Sequence, residues 1–426
     1  MPVQNYDIIV IGGGPMGLAS AYYAAQEGAR VVALERFQFF NDRGASGGDS
    51  RQFRIQYNEI EISRLVLDSV PLWKELQTHT DEELLRTCGC LWFGNPHVTG
   101  AEGQINTVLG VMDQLGLDWQ RAQKSDIESN YGFCNLPAAY SGFFQKDGAA
   151  INYPGTLRVL QRKAQESGRV AFRDHQNVTA IRSTQEGVYV ETETDSFFAP
   201  KLILTPGPYV NEVLGLLGLQ LDIVIWEMVS AFYRKTDKHS DFPTWITFDE
   251  SHEDDPMLYY GFPELDWGTD GPVVKVAANY PTRLRKTMAG YDRQPDAETV
   301  GRISRWVERY MRGLDPNPLR ASTCVCPLVP QPENPWTLRR EMILDFLPSC
   351  VPFHENIVLY ATGWAAKMIP LIGRICVDLA LRGETRYDID KLRFTEDLLV
   401  PGTVAPLQMD RKDRGFGSKN ESVDCG

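Results

Sequence analysis

The opening stretch of the chain restricts the fold more than any other part. Residues 6–11 (YDIIVI) form an apolar run suited to one fully buried strand. Gly12-Gly13-Gly14-Pro15-Met16-Gly17 follows and fits G-x-G-x-x-G. Leu18–Gly28 is rich in small residues and reads as a helix packed close to a sheet. Val31–Leu34 reads as a second buried strand, closed by Glu35. Strand, glycine turn, helix, strand and acid in that order make a βαβ dinucleotide site. Gly12 permits the turn, Gly14 lets a pyrophosphate approach the backbone, and Gly17 lets helix and sheet pack closely. The pyrophosphate is expected at the helix N-terminus near Met16. Glu35 is expected to accept the ribose hydroxyls, with Arg36 beside it in the same site. NAD and FAD share this fingerprint, so the turn does not choose between them.

The 426 residues exceed one ordinary core, so two domains are expected. The formal charge of −13 argues against nucleic acid and anionic membranes as partners, but leaves room for a small anionic substrate in a local basic pocket. No apolar run reaches the roughly 18 residues of a membrane span. The opening MPVQNYD lacks a basic leader region, so a cytoplasmic protein with free thiols among its eight cysteines is expected. The C-x-C pairs Cys88/Cys90 and Cys324/Cys326 lack the usual zinc spacing, and no metal site is expected.

Residues 62–79, 155–167, 296–312 and 367–382 carry helical periodicity. Strand patterns occur at 86–93, from 170 to 205, at 223–234, at 258–279 and at 357–360. The stretch 327–337, rich in proline and polar residues, reads as a loop. The tail from 401 to 426 is polar and reads as mobile. The fold expected is a two-domain α/β protein. A Rossmann-like nucleotide domain is assembled from 1–85, 150–222 and 336–400. An α+β substrate domain from 86–149 and 223–335 places a mixed sheet over the nucleotide.

Later segments favour FAD. Ala199–Gly207 (APKLILTPG) is similar to the strand-plus-glycine element that returns to the cofactor in two-domain flavoproteins. Gly44–Tyr57 (GASGGDSRQFRIQY) resembles the G-x-x-x-G-D-[ST]-R-x-x-R segment of the monomeric sarcosine oxidase family. That family includes N-methyltryptophan oxidase, pipecolate oxidase and an imino-acid oxidase of nikkomycin biosynthesis. The likeness continues in order through Tyr259–Pro263, Lys275, Cys324, Asp345 and Gly363–Lys367.

The resemblance implies a role for each matched residue. Arg54 and Lys367 hold the substrate carboxylate, so that the α-C–H faces the flavin. Ser50, Arg51 and Gly363 lie on the flavin side. Lys275 activates O2 as a fixed cation. Cys324 carries FAD as a thioether, although Cys326, on the same face of a strand, is equally placed, and a non-covalent flavin stays open. Tyr260 forms an aromatic wall, and Trp364 matches the nikkomycin-pathway enzyme. Asn279 stands where sarcosine oxidases have a pocket histidine, which points away from sarcosine, and the likeness at Trp364 points toward a larger or cyclic imino acid. The implied reaction is oxidation of a secondary or cyclic amino acid with O2 as final acceptor, in a monomer or small homo-oligomer. A flavin dehydrogenase or monooxygenase of another class, and a non-catalytic flavin-binding subunit, are the alternatives.

Overall fold

The computed structural model describes residues 2–100, 102–250, 256–340 and 342–401; the polar tail beyond Pro401 lies outside the described residues. The central feature is a six-stranded sheet ordered Val170–Arg173, Val31–Leu34, Ile8–Ile11, Lys201–Leu204, Ile357–Ala361 and Ile343–Phe346. The first five strands are parallel and the last is an antiparallel edge. Strands Val31–Leu34 and Ile8–Ile11 are apolar at every position because both faces are covered. Ile8, Val10, Val31 and Ala33 pack under helices Pro15–Gln26, Ile60–Gln77, Tyr153–Glu166 and Ile369–Arg382. Ile9, Ile11, Val32 and Leu34 face the other way, onto a four-stranded sheet and helix Val210–Gly215. Each isoleucine, valine or leucine among them contributes about 1.5–3 kcal/mol by leaving water.

The small residues of the first helix have a structural reason. A Cβ on Gly373 would stand 2.4 Å from the Cβ of Ala19, so two helices meet here at a distance that larger residues forbid. The helix starts on Pro15 with Gly14 at the N-cap and no side-chain cap. Its first-turn N–H groups therefore stay available to a ligand.

A ten-stranded sheet makes the second layer. In order it runs Asn334–Arg340, Arg320–Gln331, Val224–Tyr233, Val273–Ala278, Tyr259–Leu265, Thr244–Phe248, Cys90–Gly94, Ser141–Gln145 and Gln120–Gln123, with Arg283–Arg285 added beside Val224–Tyr233. The sheet is mixed because Thr244–Phe248 runs parallel to Cys90–Gly94. Helix Ala297–Tyr310 covers one face through Ile303, Trp306 and Val307. The opposite face supplies Met228, Tyr260, Cys324 and Cys326 to a cavity.

One expectation fails here. Residues 327–337 are not a loop: most of them belong to the hairpin Arg320–Gln331/Asn334–Arg340. Pro330 disguised the strand. It is tolerated because the register shifts on both sides of its pair with Leu338, and irregular positions of this kind do not need the missing N–H.

Candidate active site

The parallel strands of the six-stranded sheet end at a common edge. Gly12 follows Ile11, Glu35 follows Leu34, Thr205 follows Leu204 and Thr362 follows Ala361. Ligands of open α/β sheets bind in the crevice outside such carboxyl ends. A cavity of about 430 Å3 runs from this edge to the ten-stranded sheet.

The nucleotide end is built mostly from backbone. A Cβ on Gly12 would lie 2.3 Å from the Thr205 carbonyl oxygen, and one on Gly17 would lie 1.8 Å from the Gly12 carbonyl oxygen. Gly12 also has φ +109°, which disfavours any other residue. Gly14 and Met16 line the cavity, whereas Gly17 is buried behind it. The Gly13 N–H donates to Glu35 Oε2 at 2.8 Å; the Phe37 N–H at 2.9 Å and Asn41 Nδ2 at 3.2 Å donate to Oε1. The carboxylate is thus held in place with acceptor capacity left for a ribose. Arg36 lines the same end, paired with Glu212 at 2.6 Å.

The segment 49–54 joins the two sheets. Arg320 pairs with Asp49 and Asp270. Gln52 Nε2 donates to the carbonyls of Trp245 and Gly261 at 3.0 and 3.1 Å. Lys275 Nζ donates to the Ser50 carbonyl at 2.9 Å and lies 4.2 Å from the Phe262 ring centroid. Burial, followed by the Arg51 charge, lowers the Lys275 pKa to about 7. Arg51 donates to the carbonyls of Ala45, Gly47 and Ser50 and lies over the Tyr153 ring. Arg51 lines the cavity; Ser50 and Lys275 stand behind its wall.

Toward the ten-stranded sheet, Arg54, Tyr260, Cys324, Cys326, Gly363, Trp364 and Lys367 meet on one cavity although they come from distant segments. Both thiols face it, as the strand geometry requires. Burial raises the Tyr260 pKa. Trp364 packs edge-on against Trp226 with ring centroids 5.6 Å apart, and Asn279 lines the wall.

The two cations, Arg54 and Lys367, are not bare. Arg54 makes a buried ion pair with Glu102, which no sequence pattern had singled out. Lys367 Nζ is hydrogen-bonded to the Tyr57 hydroxyl. Arg54 and Lys367 lie 4.2 and 4.7 Å from the centroid of the same Tyr57 ring. Burial, and then repulsion from Arg54, hold the Lys367 pKa well below the usual lysine value. Its carbonyl accepts from Trp73 Nε1 at 2.6 Å and Ser69 Oγ at 3.1 Å, which fixes the turn to helix Ile60–Gln77.

These residues fit FAD. A glycine turn with no room for a Cβ, uncapped helix N–H groups and an anchored acid suit the dinucleotide, and the cavity continues from them to two thiols, aromatic walls and cations.

Comparison with known proteins agrees. The family described as FAD dependent oxidoreductase matches residues 7–379. A Dictyostelium discoideum protein named as a bifunctional amine oxidase is 33% identical over 410 residues; the match spans 91% of this chain but 37% of that protein's length. Monomeric sarcosine oxidase of a Bacillus species is 25% identical over 399 residues, 90% of this chain and 94% of its own. The solved structure of NikD, described as an unusual amino acid oxidase essential for nikkomycin biosynthesis, superposes with a TM-score of 0.85 at 36% identity, covering 92% of this chain and 98% of its own.

Proposed function

Because the chain belongs to the FAD dependent oxidoreductase family, among its amine and amino-acid oxidases, we propose that it oxidises a secondary or cyclic amino acid at the carbon between nitrogen and carboxylate. FAD, when bound, would supply a two-electron, hydride-accepting centre, and O2 would be the final oxidant.

The observation that carries this reading is the buried Arg54–Glu102 pair at the cavity wall, beside Lys367. A zwitterionic substrate can open that pair by matching both halves. Its carboxylate takes the Arg54 guanidinium, and its N–H takes the Glu102 carboxylate. Glu102 then accepts the ammonium proton, leaving the neutral amine that hydride donation requires. Lys367, low in basicity beside Tyr57, completes the anion site once a carboxylate arrives to favour its charge. Tyr260 and Trp364 wall the remainder with aromatic surface and exclude water. Asn279 replaces a titratable group with a neutral one, in keeping with a ring-bearing substrate rather than sarcosine. Lys275 is the oxygen-activating cation, protonated below about pH 7, with Ser50 holding its Nζ. Cys324 is the point of flavin attachment.

Mixing under anaerobic conditions tests the substrate class. Proline, pipecolate, piperideine carboxylate and N-methyl amino acids are added in turn, and flavin absorbance is followed. Bleaching by at least one of them, with recovery in air, is expected. An enzyme bleached only by NADPH, or by none of them, has another function. Acid precipitation tests the link: colour in the supernatant excludes the thioether.

A further inference from the structure

Thr362 follows strand Ile357–Ala361 and opens the turn that carries Trp364 and Lys367. It lines the cavity and is 3% exposed. Its φ is +67°, in the left-handed region that β-branched residues rarely adopt. Several contacts impose that conformation. The Tyr360 hydroxyl donates to the Thr362 carbonyl at 2.7 Å, Ala361 pairs with Ile343, and the Gly363 N–H donates to the Pro327 carbonyl at 3.0 Å. A glycine would hold the same turn at lower conformational cost. The threonine hydroxyl gains no compensating contact among the described residues. Its Oγ1 is buried and has no hydrogen-bond partner among the described residues. A strained backbone and an unsatisfied buried hydroxyl at one cavity position together point to a ligand contact.

We infer that the Thr362 Oγ1 hydrogen-bonds the flavin ring of bound FAD. The inference rests on the FAD reading above and adds a contact to it. The ring, rather than the adenine, is the partner because Thr362 sits with Pro327, Gly363, Trp364 and Lys367 at the reaction end. A hydroxyl can donate to a ring carbonyl or accept from a ring N–H, so one side chain serves either edge. A single bond that favours one oxidation state of the ring alters its potential.

The test uses purified, flavin-loaded protein without substrate. Thr362→Val keeps the β-branch and removes the hydroxyl; Thr362→Ser keeps the hydroxyl. The valine variant is expected to shift both the visible flavin spectrum and the midpoint potential. The potential moves by about 30 mV if the lost bond distinguishes the two oxidation states tenfold. The serine variant is expected to match wild type in both. A valine variant with unchanged spectrum and potential overturns the inference, and so does one that alters only the KM for substrate, since that would make Thr362 a substrate contact. Should valine prevent folding, Thr362→Gly, which suits the positive φ, provides the same readouts. A wild-type protein that carries no flavin sinks the FAD reading itself, an outcome distinct from any of these.

Discussion

The two ends of the cavity are built by different rules. At the nucleotide end, backbone shapes the surface, and the residues lie within one βαβ unit plus Thr205. At the other end side chains line the cavity, in pairs whose members are far apart in sequence, Arg54 with Glu102 and Tyr57 with Lys367, while behind the wall the Lys275 side chain reaches the Ser50 carbonyl. Backbone sites tolerate no added atoms but carry little charge. Side-chain sites concentrate buried charge, and each cation there is balanced by a partner or lowered in pKa. The first kind fails by steric exclusion, the second by leaving a charge unpaired.

The sharpest way to break this contrast is at Arg54. Removing one member of a buried ion pair leaves the other uncompensated, at a cost of about 3–5 kcal/mol. Arg54→Met and Glu102→Gln should each lower stability in urea unfolding, the former more, and the double variant should recover much of the loss. Additive losses would mean the pair is not an energetic unit. Gly17→Ala ranks next. Its Cβ would collide with the Gly12 carbonyl oxygen, so about 3 kcal/mol of overpacking and colourless purified protein are expected. Yellow protein of normal stability would show that the turn has more room than the fold implies.

Lys275→Met should slow reoxidation of the reduced protein by O2 roughly a hundredfold, with little effect on reduction by substrate. Stopped-flow measurement of both half-reactions checks this; an equal slowing of both contradicts the role. The same residue makes a pH prediction. Below about pH 7 folded and unfolded chains both hold the Lys275 proton. Between about 7 and the ordinary lysine value of 10.5 only the unfolded chain does. Stability from this group should therefore rise with pH through that window, by up to about 1.4 kcal/mol per pH unit, and the methionine variant should lose that slope. The smallest effect is expected at Glu35. Glu35→Gln keeps an acceptor for Gly13 but loses the charge, costing about 1 kcal/mol and a few-fold weaker FAD retention in a denaturant titration. A loss of colour as complete as that expected for Gly17→Ala would place Glu35 at the centre of the nucleotide site.

The contrast also explains what could be read in advance. Gly12, Gly14, Gly17 and Glu35 occur at fixed spacing because one turn and one strand end dictate where each must stand. Arg54, Tyr260, Cys324 and Lys367 were found only because the order of short segments resembles a known family. Glu102 had no such signal. It lies in a turn, 48 positions from its partner, and nothing in local sequence marks a glutamate as buried. Thr362 was missed for a related reason, since a positive φ at a β-branched residue contradicts the local preference that sequence reading relies on. The hairpin at 320–340 was missed because proline counts against a strand unless the irregular register that accommodates it is known.

By itself, the sequence determined the buried parallel strands, the glycine turn and the kind of cofactor these can take. Those depend on the local periodicity of apolar residues and on steric exclusion between near neighbours, both written in consecutive residues. Only the tertiary structure decided that Arg54 meets Glu102, that Lys367 leans on Tyr57 and that Lys275 titrates near neutrality. Those are properties of electrostatics at low dielectric, and burial and distance, which set their size, exist only once remote segments have packed together.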